Sequence, residues 1–314
     1  MVNAIETEKL VKRFGNFTAV DGLNLRIQKG ELFGFLGPNG AGKTTTIRML
    51  TTLMKPTSGN IKIAGYDINT QADFIRSKIG VVPQTFALFE ELSPLENLQF
   101  IGELYSMSES LIAKKSEELL KIVSLYEKRN VVSGGFSGGM KQRLSVAASL
   151  LHDPEILFMD EPTTGLDPQS RISLRELTTR LNKTGMTVVY TTHDMEEADK
   201  LCDRIAIMDK GKVMVEGTSA ELKSKFGSGY KILISYDGTL EQPVLTSIKK
   251  MVPTGKVSVY ADKLEIHVQS IAGGLVFSIS NLLSTKKVKV KELLVSEPTL
   301  EEVFINLTSK NLRD

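Results

Sequence analysis

Gly37-Pro-Asn-Gly-Ala-Gly-Lys-Thr44 is the stretch whose residue types and spacing most directly specify chemistry. Its glycines let backbone N–H groups turn inward around an anion, and a lysine and a hydroxyl follow at once. This is the pattern G-x-x-x-x-G-K-[ST], which cradles nucleotide phosphates. Lys43 would supply a compact positive charge to the β- and γ-phosphates, and the Thr44 hydroxyl would ligate Mg²⁺. Gly37, Pro38, Asn39, Gly40, Ala41, Gly42, Lys43, Thr44 and Thr45 are therefore expected at the nucleotide. A helix opening here adds the positive end of its dipole. A second pair, Asp160-Glu161, ends the apolar run Ile156-Leu-Phe-Met159. An isolated Asp-Glu pair usually marks a solvated strand end. Behind a buried strand and a phosphate loop, Asp160 is expected to hold the metal shell. Glu161 is then free to polarise a water for in-line attack on the γ-phosphate.

Between loop and acids lies Phe136-Ser-Gly-Gly-Met-Lys-Gln-Arg143, a Ser-Gly-Gly turn followed by a basic helix start. With that insertion, residues 3–220 resemble the nucleotide-binding subunits of ABC transporters, and the motifs run in the family order. The resemblance implies ATP and Mg²⁺ as ligands and ATP hydrolysis as the activity. It places Phe14 and Val20 at the nucleotide, with Phe14 stacking on adenine where a tyrosine is commoner. Gln84 is expected to reach the metal and the attacking water, joining Thr44 and Asp160 as a metal residue. His193 is expected at the γ-phosphate, and Gly165-Leu166-Asp167 on a loop that crosses a dimer interface. In this family the signature residues Phe136, Ser137, Gly138, Gly139 and Met140 close over ATP held by a partner chain. Phe136 replaces the common leucine and keeps an apolar anchor; Met140 replaces glutamine and removes a polar side chain. The Ser137 hydroxyl and the N–H groups of Gly138 and Gly139 survive as phosphate donors. A homodimer would therefore have two complete sites.

Composition bounds the rest. A length of 314 residues favours one large domain with a smaller one, and a net charge of +2 with interspersed signs gives no footprint for nucleic acid. Cys202 is the single cysteine, so no internal disulfide is possible; a packed thiol in a reducing cytosol is expected. No apolar run reaches the length that spans a bilayer, and the N-terminal stretch lacks the features of a signal peptide. The chain is expected to work peripherally, on the cytoplasmic side of a membrane, by docking onto separate permease subunits.

The elements that must position these residues follow from periodicity. Alternation over residues 3–30 predicts antiparallel strands turning near Gly15-Asn16. Short apolar runs predict buried strands at 32–36, 79–82, 156–159 and 187–190, with a further strand at 61–63 and a hairpin of 205–208 with 212–215. Helical spacing predicts helices at 43–53, 93–127, 140–151, 170–184 and 195–201. The expected fold is α/β, a P-loop cassette with a mixed sheet core, an antiparallel β subdomain and a helical signature subdomain over 1–226. The pattern changes near Lys225-Phe-Gly-Ser-Gly229. Over 227–314, the order strand 230–237, helix 241–252, strands 256–261 and 263–269, helix 271–284, strand 287–295 and helix 298–308 predicts a ferredoxin-like α+β domain.

The tail Glu297-Pro-Thr-Leu-Glu-Glu-Val-Phe304 resembles that of ATPases serving multidrug and antibiotic-resistance exporters of the daunorubicin-resistance kind. Leu300, Val303 and Phe304 would pack inward. Phe86, Leu88 and Phe89 are expected to offer the landing surface for a permease helix. The leading function is thus the ATPase subunit of an exporter. The alternatives are a non-transport cassette acting on nucleic acid or ribosomes, and an ATP-sensing module without turnover. The first alternative is disfavoured by the lack of a coiled-coil or cysteine insertion and by the single cassette; the second is disfavoured by Glu161 and His193.

Overall fold

The computed structural model describes residues 2–271 and 273–310, which form two compact units, Met1–Thr218 and Ser219–Asp314. In the first unit, alternation builds the hairpin of β1 (Asn3–Phe14) and β2 (Phe17–Gln28), turning at Gly15-Asn16. The apolar strand β3 (Leu32–Leu36) leads through the glycine loop into α1 (Lys43–Leu50). Next come β4 (Ser58–Ile63), β5 (Tyr66–Asp67), α2 (Ala72–Lys78) and β6 (Ile79–Val82). The helices α3 (Pro94–Leu104), α4 (Glu109–Ile122) and α5 (Gly138–Leu150) follow. The unit closes with β7 (Ile156–Asp160), α6 (Pro168–Lys183), β8 (Thr187–Thr192), α7 (Met195–Leu201), β9 (Arg204–Asp209) and β10 (Lys212–Gly217).

These strands make two sheets. One is antiparallel, in the order β2-β1-β4-β5; the other runs β10-β9-β3-β8-β7-β6. All neighbours in the second sheet are parallel except the β9–β10 hairpin. β3, β7 and β8 are buried along their whole length, as central parallel strands covered on both faces must be. Ile5, Leu10 and Ile27 from the first sheet share a core with Phe33, Phe35 and Phe158 from the second and with Ile47 of α1.

Helical spacing over 93–127 predicts one helix, but the chain makes two. α3 opens on a capping box between Ser93 and Glu96 and stops at Tyr105, where Ser106 takes φ 55°. α4 then doubles back. A Cβ on Gly102 would lie 2.5 Å from Ile112, so the missing side chain is what lets α4 approach α3. α5 and α6 each begin two residues earlier than their periodicity indicates, because Ser137 and Asp167 cap them. The short α2 is not predicted by spacing, because its seven residues bury only Ile75 and show no repeating apolar face.

The second unit contains α8 (Ser219–Phe226), β11 (Tyr230–Asp237), α9 (Gln242–Met251), β12 (Lys256–Tyr260), β13 (Lys263–Val268), α10 (Leu275–Thr285), β14 (Lys289–Ser296) and α11 (Leu300–Lys310). Its antiparallel sheet runs β12-β13-β11-β14, which with the order β-α-β-β-α-β is the ferredoxin-like arrangement. Leu300 and Val303 are buried and Phe304 half-buried, as periodicity predicts. α8, not anticipated from sequence, belongs with this unit. Asn306 on α11 donates to the Phe226 carbonyl at 2.9 Å, and Leu222 is buried. The compact units therefore divide at 218/219, eight residues before the boundary drawn from composition.

A chain ending at Thr218 is expected to melt as one cooperative transition in circular dichroism. A chain ending at 226 keeps α8 without α11, exposes Leu222, and should gain no stability over it while aggregating sooner. A non-cooperative melt of the shorter chain would count against an independent first unit.

Candidate nucleotide and hydrolysis site

Parallel strands deliver every predicted catalytic residue to one sheet edge. β3 runs into the glycine loop, β6 into Gln84, β7 into Asp160 and Glu161, and β8 into His193. The register pairs Leu36 with Thr192, Asp160 with Thr191, and Val82 with Met159, so the carboxyl ends of the four strands lie level. Ligands of open parallel sheets bind at this edge.

The Lys43 ammonium is 4% exposed. It donates to the Gly37 carbonyl at 2.6 Å and the Pro38 carbonyl at 3.2 Å, and pairs with Glu161 Oε1 at 3.1 Å. Glu161 Oε2 accepts from the Thr164 hydroxyl at 3.3 Å and faces His193 Nδ1 at 3.1 Å. Glu161 has φ 45°, a left-handed conformation that costs a non-glycine residue on the order of 1–3 kcal/mol. The Thr191 carbonyl and hydroxyl hold its N–H at 3.2 and 2.9 Å. Burial pushes the Glu161 carboxyl up, but Lys43 and His193 together outweigh it and leave the group below its ordinary value. Glu161 is therefore ionised at neutral pH. Asp160 Oδ1 accepts from the Thr44 hydroxyl at 3.3 Å and the Thr191 hydroxyl at 2.6 Å. Thr44, bonded to Asp160, lines the same cleft as Gln84, and the side-chain oxygens of these three residues are the kind of donor a hard cation such as Mg²⁺ takes.

The loop is wedged against its neighbours. A Cβ on Gly37 would lie 2.3 Å from the Met208 carbonyl oxygen. Gly42, at φ 107°, would place one 2.5 Å from the Ala19 carbonyl oxygen. The cleft above is lined by Phe17, Ala19, Pro38, Asn39, Gly40, Gly42, Lys43, Thr44, Thr45, Gln84 and Glu161. Ala41 is buried beneath the loop. Two expected residues sit elsewhere. Val20 is fully buried and belongs to the core. Phe14 does not line the cleft; it is half-exposed beneath the Lys12 ammonium, 5.2 Å from its ring. Phe17, its cross-strand partner on the same face, lines the cleft instead. The sequence signal, a shared hairpin face, marks the pair of phenylalanines rather than either one.

The signature residues line no part of this cleft. Ser137 and Gly138 are exposed, Met140 half-buried, and Phe136 and Gly139 buried. The Ser137 hydroxyl accepts from the Met140 N–H at 3.3 Å and so caps α5. Gly139 packs on the first turn of α6: a Cβ there would lie 2.1 Å from Ser170 Oγ and 2.5 Å from its Cβ. Asp167 caps that same turn through the Ser170 N–H at 3.0 Å, Gly165 is exposed at φ 77°, and Leu166 is buried. The Ser137–Met140 turn and the Gly165–Asp167 loop thus pack side by side, Gly139 against Ser170 and Gly138 beside Leu166. Phe86 and Phe89 are exposed, Phe89 edge-on to Phe100 at 4.7 Å, and Leu88 is half-buried.

The ABC transporter family profile matches residues 20–164. The linearmycin resistance ATP-binding protein LnrL of Bacillus subtilis (strain 168) is 40% identical over 311 residues, covering 99% of this chain and 100% of that protein. The daunorubicin/doxorubicin resistance ATP-binding protein DrrA of Streptomyces peucetius is 38% identical, covering 97% of this chain and 92% of its own length. A solved dimeric ATP-binding cassette in a post-hydrolysis state, bound to ADP and phosphate, superposes with a TM-score of 0.62 at 32% identity. It covers 68% of this chain and 98% of its own.

Gly139→Ala should destabilise the fold by about 1–3 kcal/mol through overpacking against Ser170. Adding Ser170→Gly should restore most of the loss; urea denaturation of the single and double variants measures both. The depressed Glu161 carboxyl contributes stability that is complete above its ordinary value of 4.5 and is lost as pH falls through the lower folded value. Glu161→Gln lacks that titration, so its stability should fall less steeply than wild type between about pH 5 and pH 3.

Proposed function

Because the chain belongs to the ABC transporter ATP-binding cassettes, we propose that it is the ATP-hydrolysing subunit of a drug-resistance exporter and closes as a homodimer over two ATP molecules. One observation carries the shared-site reading. Lys43, Asp160 and Glu161 converge on one cleft, while Ser137 and Gly138 present a helix N-terminus on a surface outside it. A second chain would bring that N-terminus to the γ-phosphate. The two resistance proteins span nearly the whole chain, which favours export over action on nucleic acid.

In this reading Lys43 binds the β- and γ-phosphates and Phe17, which lines the cleft, covers the base. The phosphate oxygens compete with Glu161 for the ammonium, leaving Glu161 Oε1 free to polarise the attacking water. His193 holds the other oxygen and reaches the γ-phosphate; Gln84 orients the water. Thr44, Asp160 and Gln84 would hold Mg²⁺, which neutralises phosphate charge when bound. Hydrolysis of ATP to ADP and phosphate loosens the dimer, because the two nucleotides bind its closed form unequally.

The membrane partner would be a separate permease. Among the described residues no helix is long and apolar enough to cross a bilayer. An apolar groove lined by Leu53, Val81, Pro83, Ala87, Ile101 and Tyr105 adjoins Phe86, where the family resemblance places a permease helix. This would hold the protein at the cytoplasmic face of the membrane. The domain division we propose is a catalytic cassette followed by an accessory α+β domain.

Glu161→Gln should bind ATP with near wild-type affinity, lose almost all turnover, and accumulate as a dimer with ATP in light scattering. A strict monomer at saturating ATP and Mg²⁺ would sink the shared-site reading. Lys43→Ala should weaken binding of a fluorescent ATP analogue by about tenfold or more, the scale of one lost charge-assisted contact; unchanged affinity would remove Lys43 from the phosphate site.

A further inference from the structure

Glu197 is 2% exposed and does not line the nucleotide cleft. Among the described residues no lysine, arginine or histidine pairs with it. Three hydroxyls donate to it instead: Tyr190 to Oε1 at 2.9 Å, and Thr163 and Thr192 to Oε2 at 3.0 and 2.8 Å. A buried carboxylate satisfied from three sides is expensive to keep unless its fixed geometry is used.

The donors come from the two segments that carry the hydrolytic pair. Thr163 lies two residues after Glu161, and Thr192 immediately precedes His193. Tyr190 precedes Thr191, whose carbonyl and hydroxyl hold the Glu161 N–H. On the far side of His193, the Asp194 N–H donates to the Thr192 hydroxyl at 3.0 Å, and the Asp194 carboxylate accepts from the Glu197 N–H at 3.0 Å. Both ends of the turn bearing His193 are thus tied to Glu197, one directly and one through its own backbone. So is the turn after Glu161. Burial, with the neighbouring Glu197 charge adding to it, pushes the Tyr190 hydroxyl far above its ordinary range, so it stays a donor.

We propose that Glu197 is a positioning residue that fixes the 3.1 Å approach of His193 Nδ1 to Glu161 Oε2. It touches neither nucleotide nor water. It sets turnover by holding the two turns at one separation, and it leaves nucleotide affinity alone, because Lys43 and the glycine loop are anchored through β3 and the Ala19 and Met208 backbones. This inference rests on the reading of Glu161 and His193 as the hydrolytic pair.

The test compares ATPase kinetics, ATP-analogue binding and melting temperature in the full chain. Glu197→Ala and the milder Thr163→Val should each lower kcat, the first on the order of tenfold or more, with the dissociation constant for the analogue unchanged. Glu197→Gln should recover most of the activity, since its amide oxygen can accept from both threonines while its nitrogen donates to Tyr190. On a His193→Ala background, Glu197→Ala should cost nothing further. Wild-type kcat in folded Glu197→Ala or Thr163→Val overturns the proposal, as does an undiminished loss on the His193→Ala background. If Glu197→Ala fails to fold, Thr163→Val decides alone. Wild-type turnover in His193→Ala by itself would sink the underlying reading of the hydrolytic pair instead, which keeps the two failures apart.

Discussion

A lysine ammonium and a glutamate carboxylate, both more than nine-tenths removed from water, meet at the carboxyl edge of a parallel sheet. Taking each from water costs several kcal/mol, and their mutual attraction offsets this only with further hydrogen bonds in good geometry. Those bonds dictate the surroundings. The ammonium takes two loop carbonyls, so the loop must turn them toward the lysine that follows it. The carboxylate takes Thr164 and His193, so two further strands must end level with the first. A parallel sheet satisfies that demand, because every strand presents its carboxyl end to the same edge. Crossover helices are the consequence of parallel pairing. The left-handed Glu161 backbone is the local strain this arrangement tolerates.

The same constraint explains what could be read in the sequence. A phosphate loop, an acidic strand end and a capped Ser-Gly-Gly helix each need particular residues at fixed offsets, so their positions are legible without coordinates. Strand alternation likewise gave the ferredoxin-like order of the second unit. What escaped reading is what depends on the partner across space. Ser106 breaks α3 from α4 in a left-handed conformation that no glycine or proline announces. Phe14 and Phe17 share one face of a hairpin, and only the loop above decides which of them reaches the cleft. Glu196 and Glu197 are adjacent glutamates in a seven-residue helix; one is exposed and the other fully buried, and nothing local distinguishes them.

The contact between Gly139 and Ser170 links the signature to the hydrolytic strand without passing through the cleft. α6 begins after Gly165-Leu166-Asp167, which follows Glu161 along the chain, so the signature helix rests on a turn whose position depends on β7. Lengthening the glycine side chain would separate the two helices. Shortening Ser170 would make room. The Ser137 hydroxyl caps its own helix by accepting from the Met140 N–H, and of the two glycines that follow it Gly138 is exposed while Gly139 is buried against Ser170. Substituting Met140 for a polar residue changes the rim of that turn and not its donors.

Where charge is buried also separates the two units. The first buries Glu31, Lys43, Asp160, Glu161 and Glu197; among its described residues the second has no wholly buried charged residue, although Glu302 Oε2 is removed from water. Its core is Ile232, Ile234, Ile266, Ile279, Leu283 and similar residues, packed between two helices and one sheet face. Its ion pairs, such as Lys231 with Glu265 and Lys291 with Asp237, lie on partly exposed faces where such pairs contribute little. Burying charge costs stability and persists where chemistry or fixed geometry requires it. The buried charges beside the phosphate loop, Lys43, Asp160 and Glu161, all belong to the first unit.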